Sequence, residues 1–296
     1  MNMERVLITG YSGFTGRYLA EGLRKAGAEV VGLVHGNGCE TREVAGDLTS
    51  LEDMRRVAVD VKPTHVVHLA GISSPAHDDV REFYDVNLFG TLNLLEAFGG
   101  SHHRLERIVI ASSANVYGTP EVEMIRETMC PKPVNHYGNS KLAMENMARV
   151  WADRLPLTIV RPFNYTGRGQ DERFVISKIV GHLRRHERVL ELGNLDVARD
   201  FSDVRDVSEA YIRLLGGPTV HEGAVNICSG RAYTLRQILE SAFQISGWRP
   251  EVRVNPLFVR RSEIPRLVGD NDRLQLLTGF RPSIEMEDTL RWMLLS

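Results

Sequence analysis

Short apolar runs alternate with stretches of helical periodicity through the first half of the chain. A short apolar run bounded by turn residues is typical of a buried strand, and a repeat near 3.6 residues is typical of a helix. Strands that alternate with helices favour a parallel sheet covered on both faces. The pattern therefore predicts an α/β fold, a Rossmann-type doubly wound parallel sheet. The predicted strands are residues 5–9, 29–34, 65–69, 107–111 and 157–160, and the main predicted helices are residues 17–26, 78–98 and 137–154.

The loops that follow these strands are expected to share one crevice. In open parallel sheets, ligands bind beyond the carboxyl ends of the strands. The loops in question are residues 10–16, 70–73, 112–115 and 162–164.

Composition excludes several classes of protein. The 296 residues are 43% hydrophobic, which is ample for a large core. A net charge of −2 without a basic patch argues against a nucleic-acid partner. No apolar run approaches the roughly 20 residues that span a bilayer, so no membrane partner is expected. The chain begins with a strand pattern and no secretory signal, which predicts a cytoplasmic protein.

The cysteines predict no cross-link. Cys39, Cys130 and Cys228 are odd in number and far apart. They match neither a disulfide framework nor a zinc site, and no metal site is predicted. Cys228 lies in an apolar strand pattern and is predicted to be a small core residue.

The loop after the first strand is rich in glycine. Gly10, Gly13 and Gly16 are spaced G-x-x-G-x-x-G, between the strand and the helix of residues 17–26. Glycines let the backbone approach a pyrophosphate, and a helix N-terminus offers it free N–H groups. This segment, including Phe14, Thr15 and Arg17, predicts a dinucleotide-cofactor site.

The organisation of the chain changes after Asn164, where elements become shorter and arginine more frequent. We therefore predict an NAD(P)-binding domain over residues 1–165 and a smaller, mainly substrate-binding C-terminal domain over residues 166–296. Segments near residues 201–216 and 264–280 are predicted to return to the first domain.

Tyr137 and Lys141 lie four residues apart, on one face of a predicted helix. A neighbouring ammonium favours the phenolate and is expected to lower the tyrosine pKa towards neutrality. Such a phenol could exchange a proton with a carbonyl or alcohol oxygen.

The segment Ser112-Ser113-Ala114-Asn115-Val116-Tyr117-Gly118 follows the fourth predicted strand. Together with Tyr137, Lys141, the glycine loop and Arg161-Pro162-Phe163-Asn164, it resembles the extended short-chain dehydrogenase/reductase family, whose members act on nucleotide sugars. The resemblance implies that Ser113 is a third catalytic residue, that Tyr137 and Lys141 also contact the cofactor, and that Asp47 and Leu48 contact adenine. The resemblance and the strand-end loops assign further cofactor contacts to Leu69, Ala70, Gly71 and Pro162.

The second half is similar to the GDP-6-deoxy-4-keto-mannose reductases of that family. The similarity is carried by residues 163–170, 174–176, 193–201 and 260–263. It implies that Arg199 and Arg260 clamp the substrate diphosphate, a task that suits the guanidinium fork, and that Glu263 contacts a ribose hydroxyl. The remaining predicted substrate contacts are Ser73, Asn115, Asn164, Val175 and Lys178.

One departure from the related 4,6-dehydratases bears on mechanism. Those enzymes carry a glutamate shortly after the catalytic serine or threonine, whereas this chain has Ala114 and Asn115. Neither side chain can act as a proton base near neutral pH. We therefore expect reduction of the C4 keto group of a nucleotide-linked 4-keto-6-deoxyhexose, GDP-4-keto-6-deoxy-mannose to GDP-D-rhamnose.

Two alternatives stay open from the sequence. A nucleotide-sugar 4-epimerase would use the same three residues while retaining NAD. A non-catalytic NADP-sensing regulator is disfavoured, because such proteins commonly lack the tyrosine–lysine pair.

Cofactor choice depends on the end of the second strand. Residues 33–37 contain no acidic residue to bond an adenosine ribose, as many NAD enzymes have. NADP is therefore predicted, with NAD as the alternative, and Arg17 or His35 could meet its 2′-phosphate.

A homodimer is also expected. The two long predicted helices carry apolar residues beyond one core-facing stripe, and family members commonly pair the equivalent helices. The alternative is that all of these residues face the sheet. They are Phe83, Leu88, Leu92, Leu142, Met144 and Met147.

Overall fold

The computed structural model describes residues 3–36, 42–73, 79–220, 223–258 and 264–295. Its centre is a seven-stranded parallel sheet in the order β10-β6-β5-β4-β1-β2-β3. Its strands are β1 Arg5–Thr9, β2 Glu29–Val34, β3 Glu43–Ala45, β4 His65–His68, β5 Arg107–Ala111, β6 Leu157–Pro162 and β10 Val225–Ile227. The predicted fold class is confirmed, and the predicted strand bounds agree within two residues.

Helices cover both faces of this sheet. Neighbouring strand residues point to opposite faces, so Ile8 packs in one hydrophobic cluster and Leu7 in another. The first cluster lies beneath α1 Phe14–Lys25 and α7 Val204–Leu215. The second lies beneath α2 Leu51–Val61, α4 Thr91–Gly99 and α5 His136–Arg149. Because both faces of the sheet are buried, the sequences of its strands are nearly continuous apolar runs.

The order of the sheet reverses at β1. The strand has β2 on one side and β4 on the other, so the chain builds outward in two directions from this point. A crevice opens at such a reversal, between the loops at the carboxyl ends of the two strands. The glycine loop and residues 69–71 flank that crevice.

The predicted helix over residues 78–98 is interrupted. It consists of α3 Val80–Tyr84, a π-helical turn Asp85–Gly90 and then α4, while Asp78 lies outside the described residues. Asn87 lies within the π turn and is fully buried. Such turns often occur at functional sites, and apolar periodicity does not distinguish them from an α-helix.

The predicted helix over residues 137–154 ends early. Helix α5 stops at Arg149, where Trp151 N donates to Ala148 O and tightens the last turn. The Trp151 ring packs against Gly99, where an added Cβ would lie 2.6 Å from the ring. Packing between helices therefore determines this end.

Smaller elements form the second region. They share a core that contains Ile179, Leu239 and Leu290. One group of strands is β7 Asn164–Thr166, β9 Ala198–Asp203, β11 Ala232–Thr234 and β13 Arg266–Leu267, and a separate pair is β8 Val189–Leu192 and β12 Glu251–Val254. The helices are α6 Val175–Arg184, α8 Leu235–Ser246, α9 Asp272–Thr278 and α10 Met286–Leu295, and short 3₁₀ helices are Ala114–Tyr117 and Pro256–Phe258.

Parts of the C-terminal half contact the first sheet. Helix α7 packs against α1, and α9 packs against both α7 and β10. The exact division of the chain at residue 165 stays a prediction. Cys228 is fully buried, which confirms its prediction as a core residue.

Among the described residues, no helix combines the length and apolar character that a membrane span requires. The described His, Cys, Asp and Glu side chains also form no group of three or more that could hold a metal ion.

Candidate active site

The glycine loop forms a tight cradle at the N-terminus of α1. Gly10 has φ +71°, and an added Cβ would lie 2.8 Å from the Ala70 nitrogen. At Gly16 it would lie 2.4 Å from the Gly10 oxygen. Gly13 caps α1 without a side-chain bond, and the first turn carries no acidic residue. The N–H groups and helix dipole therefore suit a pyrophosphate, so these residues fit a dinucleotide cofactor.

The other predicted cofactor residues differ in their contacts and in how far they are exposed to solvent. Thr15 Oγ1 is hydrogen-bonded to Tyr165 Oη at 2.8 Å, and Phe14 stacks on the same ring. Asp47 Oδ1 accepts hydrogen bonds from Thr49 N and Oγ1, both at 2.8 Å. The buried members of the set are Leu48 and Pro162, the partly buried ones are Leu69 and Ala70, and the exposed ones are Gly71, Arg17 and His35.

Ser113 and Tyr137 meet at the carboxyl end of β5. Ser113 follows that strand and caps the 3₁₀ helix, with its Oγ accepting from Asn115 N and Nδ2, both at 3.2 Å. Tyr137 is in the first turn of α5, which Asn135 caps by accepting from Gly138 N. Tyr137 and Ser113 are both buried, and the Ser113 hydroxyl is close enough to oppose the rise of the Tyr137 pKa.

Lys141 lies one turn after Tyr137 and reaches the same strand end. Its Nζ donates to Ala111 O at 2.9 Å. An added Cβ at Gly71 would lie 3.2 Å from that nitrogen, so the loop after β4 closes over it. The helix therefore brings Tyr137 and Lys141 to the loops after β4 and β5.

The expected lowering of the Tyr137 pKa is wrong for this structure. Burial raises the pKa of Tyr137 to about 12, although the nearby Ser113 hydroxyl opposes this. Burial also lowers the pKa of Lys141 to about 8, against the attraction of Glu145. Desolvation is the largest cause of both shifts, because both groups are enclosed by protein. Near pH 7 both therefore hold their protons.

Sequence reasoning missed Asn87. Its Oδ1 accepts from Ile72 N at 2.9 Å, and its Nδ2 donates to Ser140 Oγ at 3.0 Å. Asn87 thus joins the loop after β4 to α5 beside Lys141. A lone asparagine between apolar residues of a helical stretch was the available signal. Sequence reasoning also missed Glu145 and Arg161, a buried ion pair on α5 and β6.

The predicted substrate residues are more scattered. Asn164 Nδ2 donates to Asp200 O at 3.4 Å, and Arg199 NH1 donates to Ala198 O at 3.0 Å on β9. Lys178 Nζ donates to Glu191 O at 2.7 Å and lies over the Phe258 ring. Val175 begins α6, and Ser73 is exposed. Arg260 and Glu263 lie outside the described residues.

Position 115 bears directly on proton transfer. The Asn115 amide lies against Ser113 Oγ, and Ala114 is buried. Residues 114 and 115 therefore bring no carboxylate to Ser113.

Comparison with known proteins agrees with this geometry. Residues 7–293 match the family described as GDP-mannose 4,6 dehydratase. A GDP-6-deoxy-D-talose 4-dehydrogenase from Aggregatibacter actinomycetemcomitans is 36% identical, over 93% of this chain and 91% of that protein. A GDP-6-deoxy-D-mannose reductase from Pseudomonas aeruginosa is 34% identical, over 97% and 95% of the two chains.

Solved structures show the same fold. A structure of RMD from Pseudomonas aeruginosa complexed with NADPH has a TM-score of 0.82 and 31% identity, over 99% of this chain and 97% of that one. A putative epimerase from Burkholderia cenocepacia has a TM-score of 0.90 and 42% identity, over 98% and 97%. This chain therefore belongs to the GDP-mannose 4,6 dehydratase family and is an NAD(P)-dependent nucleotide-sugar oxidoreductase of the short-chain dehydrogenase/reductase type.

Proposed function

We propose that this enzyme uses NADPH to reduce the C4 keto group of GDP-4-keto-6-deoxy-mannose, giving GDP-D-rhamnose. The observation that carries the proposal is the placement of buried Ser113, Tyr137 and Lys141 at the end of β5, beside a dinucleotide cradle and with Asn115 in place of a carboxylate. A site with a proton donor and no adjacent base suits reduction of a carbonyl better than removal of a carbon-bound proton.

Each residue of the proposed triad has a distinct task. NADPH, when bound, would supply the hydride that adds to C4. Ser113 donates a hydrogen bond to the keto oxygen and orients it. Tyr137 gives its proton to the same oxygen as negative charge develops there, so the keto group becomes an alcohol. Lys141 holds positive charge near the phenolate that remains, and its neighbourhood excludes water.

A 4,6-dehydratase activity is not proposed, although the family is named after it. Dehydration requires a base to remove the C5 proton, and an amide cannot do this near neutral pH. The two GDP-sugar relatives described above have names that refer to oxidation or reduction of a GDP-linked 6-deoxyhexose. Their names support a substrate that already lacks the C6 hydroxyl.

We propose that Arg199 and Arg260 bind the diphosphate, with Glu263 at a ribose hydroxyl. Arg199 is partly buried on β9, and the Tyr233 and Leu267 positions are its register partners on the neighbouring strands. Ser73, Asn115, Asn164, Val175 and Lys178 are proposed to line the remaining substrate path. Binding energy from the nucleotide, remote from C4, would orient the reacting carbon.

NADPH is the proposed cofactor. The exposed residues His35 and Gly36 follow β2 without an acidic side chain, and Arg17 is exposed on α1. Nothing at these positions would repel a 2′-phosphate. The Pseudomonas aeruginosa structure with NADPH supports this choice. Titration of the protein with NADPH and NADH, followed by cofactor fluorescence, would reveal the preference.

The central experiment mixes the protein and NADPH with 4-keto-6-deoxyhexoses linked to GDP, UDP or dTDP. We expect loss of NADPH absorbance with the GDP sugar, and a product heavier by two hydrogens. The proton coupling between C3 and C4 then distinguishes the rhamno product from the talo product, since these sugars are C4 epimers. In parallel, GDP-mannose with NADP⁺ is expected to lose no water. Appreciable water loss would mean that another residue supplies a base and would remove the reductase proposal.

The second candidate is a nucleotide-sugar 4-epimerase. Similarity to the Burkholderia cenocepacia protein, which is described as a putative epimerase, favours it, and the same three residues would serve. An epimerase returns the hydride to its own substrate, so it retains its cofactor through each cycle. Tightly bound NAD in the purified protein, together with conversion of a nucleotide sugar without added cofactor, would support this alternative.

A further inference from the structure

The carboxylate of Glu145 is fully enclosed close to the proposed catalytic residues. Glu145 lies on α5, one turn after Lys141. Its Oε1 accepts from Ser112 Oγ at 2.6 Å and from Arg161 Nε at 2.8 Å. Its Oε2 accepts from Arg161 NH2 at 2.7 Å and from Arg149 NH2 at 2.9 Å. Both oxygens are therefore satisfied by directed partners.

Two side chains of helix α5 hold the end of β5, and they bind consecutive residues there. Lys141 Nζ bonds Ala111 O, and Glu145 bonds the hydroxyl of Ser112. Side chains four residues apart share one helix face, which explains how they reach neighbouring positions of the strand end. The next residue is Ser113. These two bonds therefore constrain the position of Ser113 relative to the helix that carries Tyr137.

Arg161 extends this connection to the far end of the segment that follows β5. It is 3% exposed, and its guanidinium lies over the Tyr117 ring, 4.7 Å from the centroid. Tyr117 ends the 3₁₀ helix that follows Ser113, and its hydroxyl donates to Asn226 Oδ1 at 2.7 Å. The ion pair of Glu145 and Arg161 thus contacts both ends of the segment that contains Ser113.

A gain in stability alone does not explain why Glu145 and Arg161 form a buried ion pair. Burying two charges costs about as much as their attraction returns, and an apolar pair of similar volume is often as stable or more so. An apolar pair, however, could not accept the Ser112 hydrogen bond or place negative charge near Lys141. The ion pair therefore supplies two properties that an apolar pair would lack: an acceptor that holds Ser112 in place and a negative charge near Lys141.

We propose that Glu145 is a positioning residue of this site: its carboxylate fixes Ser112, and through it Ser113, against the helix that carries Tyr137, and places a negative charge one helical turn from the Lys141 ammonium. The proposal deepens the proposed function, because it rests on the catalytic roles given there to Ser113, Tyr137 and Lys141.

The charge of Glu145 has a measurable consequence for Lys141. Burial lowers the pKa of Lys141 to about 8, and the attraction of Glu145 raises it. The facing group on β4 is His68, whose pKa burial lowers to about 3, so it is neutral at neutral pH. Removing the Glu145 charge must therefore lower the Lys141 pKa further. The loss of reductase activity at alkaline pH should then begin at a lower pH.

The first test compares Glu145→Gln with wild type. Misplacement of reacting groups by about 1 Å can cost about 10²-fold in rate, and we expect a loss of that order in kcat. The KM for NADPH should change by no more than about twofold, because the cofactor cradle is untouched. The matched control is Glu96→Gln, the same substitution at a surface carboxylate on α4 that bonds Arg55 at 3.0 Å. Its kcat should equal that of wild type.

A second variant guards against a folding defect. Ser112→Ala removes the hydroxyl but leaves the ion pair intact, and we expect about a tenfold loss of kcat with little change in the melting temperature. In Glu145→Gln the Arg161 guanidinium loses its carboxylate partner, and the double variant Glu145→Gln with Arg161→Met removes this buried charge as well. It should recover thermal stability while kcat stays low, which separates positioning from stability.

The third test needs no substrate. The sequence contains five lysines, so carbon-13 labelling at lysine Cε gives few resonances, and Lys141→Met assigns the one of interest. We expect the pKa of Lys141 to fall by about one unit or more in Glu145→Gln. If wild type reduces no 4-keto sugar, the proposed function fails, yet this titration still tests Glu145. The Glu145 proposal is overturned if that pKa is unchanged in the variant, or if Glu145→Gln keeps kcat within about threefold of wild type.

Discussion

At the scale of single residues, burial determines the protonation of the site. Tyr137 and Lys141 are both enclosed, which raises the pKa of the phenol to about 12 and lowers that of the ammonium to about 8. A phenol that keeps its proton at neutral pH is a donor, as reduction of a ketone requires. The four-residue spacing predicts that both residues lie on one face of α5, but not which way their pKa values move.

Tyr137→Phe is expected to lower kcat about 10²- to 10⁴-fold, the typical worth of general acid catalysis. NADPH affinity should be retained, since the ring still fills its place. Stopped-flow kinetics and cofactor fluorescence measure the two quantities. Tyr211→Phe, in a buried tyrosine of α7, is the matched control and should keep full activity. Activity of Tyr137→Phe within about threefold of wild type would remove Tyr137 as the acid.

Arg199→Ala is expected to weaken binding of the nucleotide sugar about tenfold or more, because a charged hydrogen bond is worth about 1.5–3 kcal/mol. Arg260→Ala should behave alike, and neither should change NADPH affinity. Calorimetric titration with the substrate measures the effect. Arg173→Ala is the control, since Arg173 is exposed and bonds Asp171 next to it. Unchanged substrate affinity in both variants would contradict the proposed clamp.

At the scale of elements, the turn between β1 and α1 depends on the absence of side chains. An added Cβ at Gly16 would lie 2.4 Å from the Gly10 oxygen and 2.5 Å from the Tyr11 oxygen. Both atoms are backbone and cannot rotate aside, so the turn itself would have to shift. The N–H groups that face the proposed pyrophosphate would shift with it.

Gly16→Ala is therefore expected to weaken NADPH binding about tenfold or more, the loss of at least one charged hydrogen bond. Fluorescence titration with NADPH measures this affinity. The control is Gly100→Ala after α4, where φ is −93° and the added Cβ would meet only the Glu96 oxygen at 3.3 Å. Equal NADPH affinity in the two variants would show that the turn tolerates a side chain.

At the scale of the whole molecule, the proposed dimer surface is the outer face of α4 and α5 together with the residues that adjoin these helices. Phe89, in the π turn before α4, is 52% exposed, and Val150, directly after α5, is 78% exposed. Phe83 and Met144 are buried instead, so the expectation that they lie beyond the core-facing stripe is wrong. The other residues predicted for this face, Leu88, Leu92, Leu142 and Met147, are partly buried.

Light scattering at micromolar concentration is expected to give the mass of a homodimer. A charge on this face should oppose pairing of apolar surfaces, so Phe89→Glu should shift the mass towards a monomer. Leu276→Glu is the control, because Leu276 is 86% exposed on α9, away from these helices. A monomeric wild type would contradict the dimer proposal.

The fold class and the main strands could be predicted from the chain alone, because each buried parallel strand is a short apolar run of neighbouring residues. The sequence also identified Ser113, Tyr137 and Lys141 as residues to examine, since their spacing is local or follows a strand end. Features that depend on remote neighbours are visible only in the folded molecule. The order of the sheet and the contact of Asn87 with Ser140 join segments far apart in the chain. The ion pair of Glu145 and Arg161 joins α5 to the strand that follows it. The direction of each pKa shift follows from the same enclosure, because desolvation is set by everything packed around a group rather than by its place in the sequence.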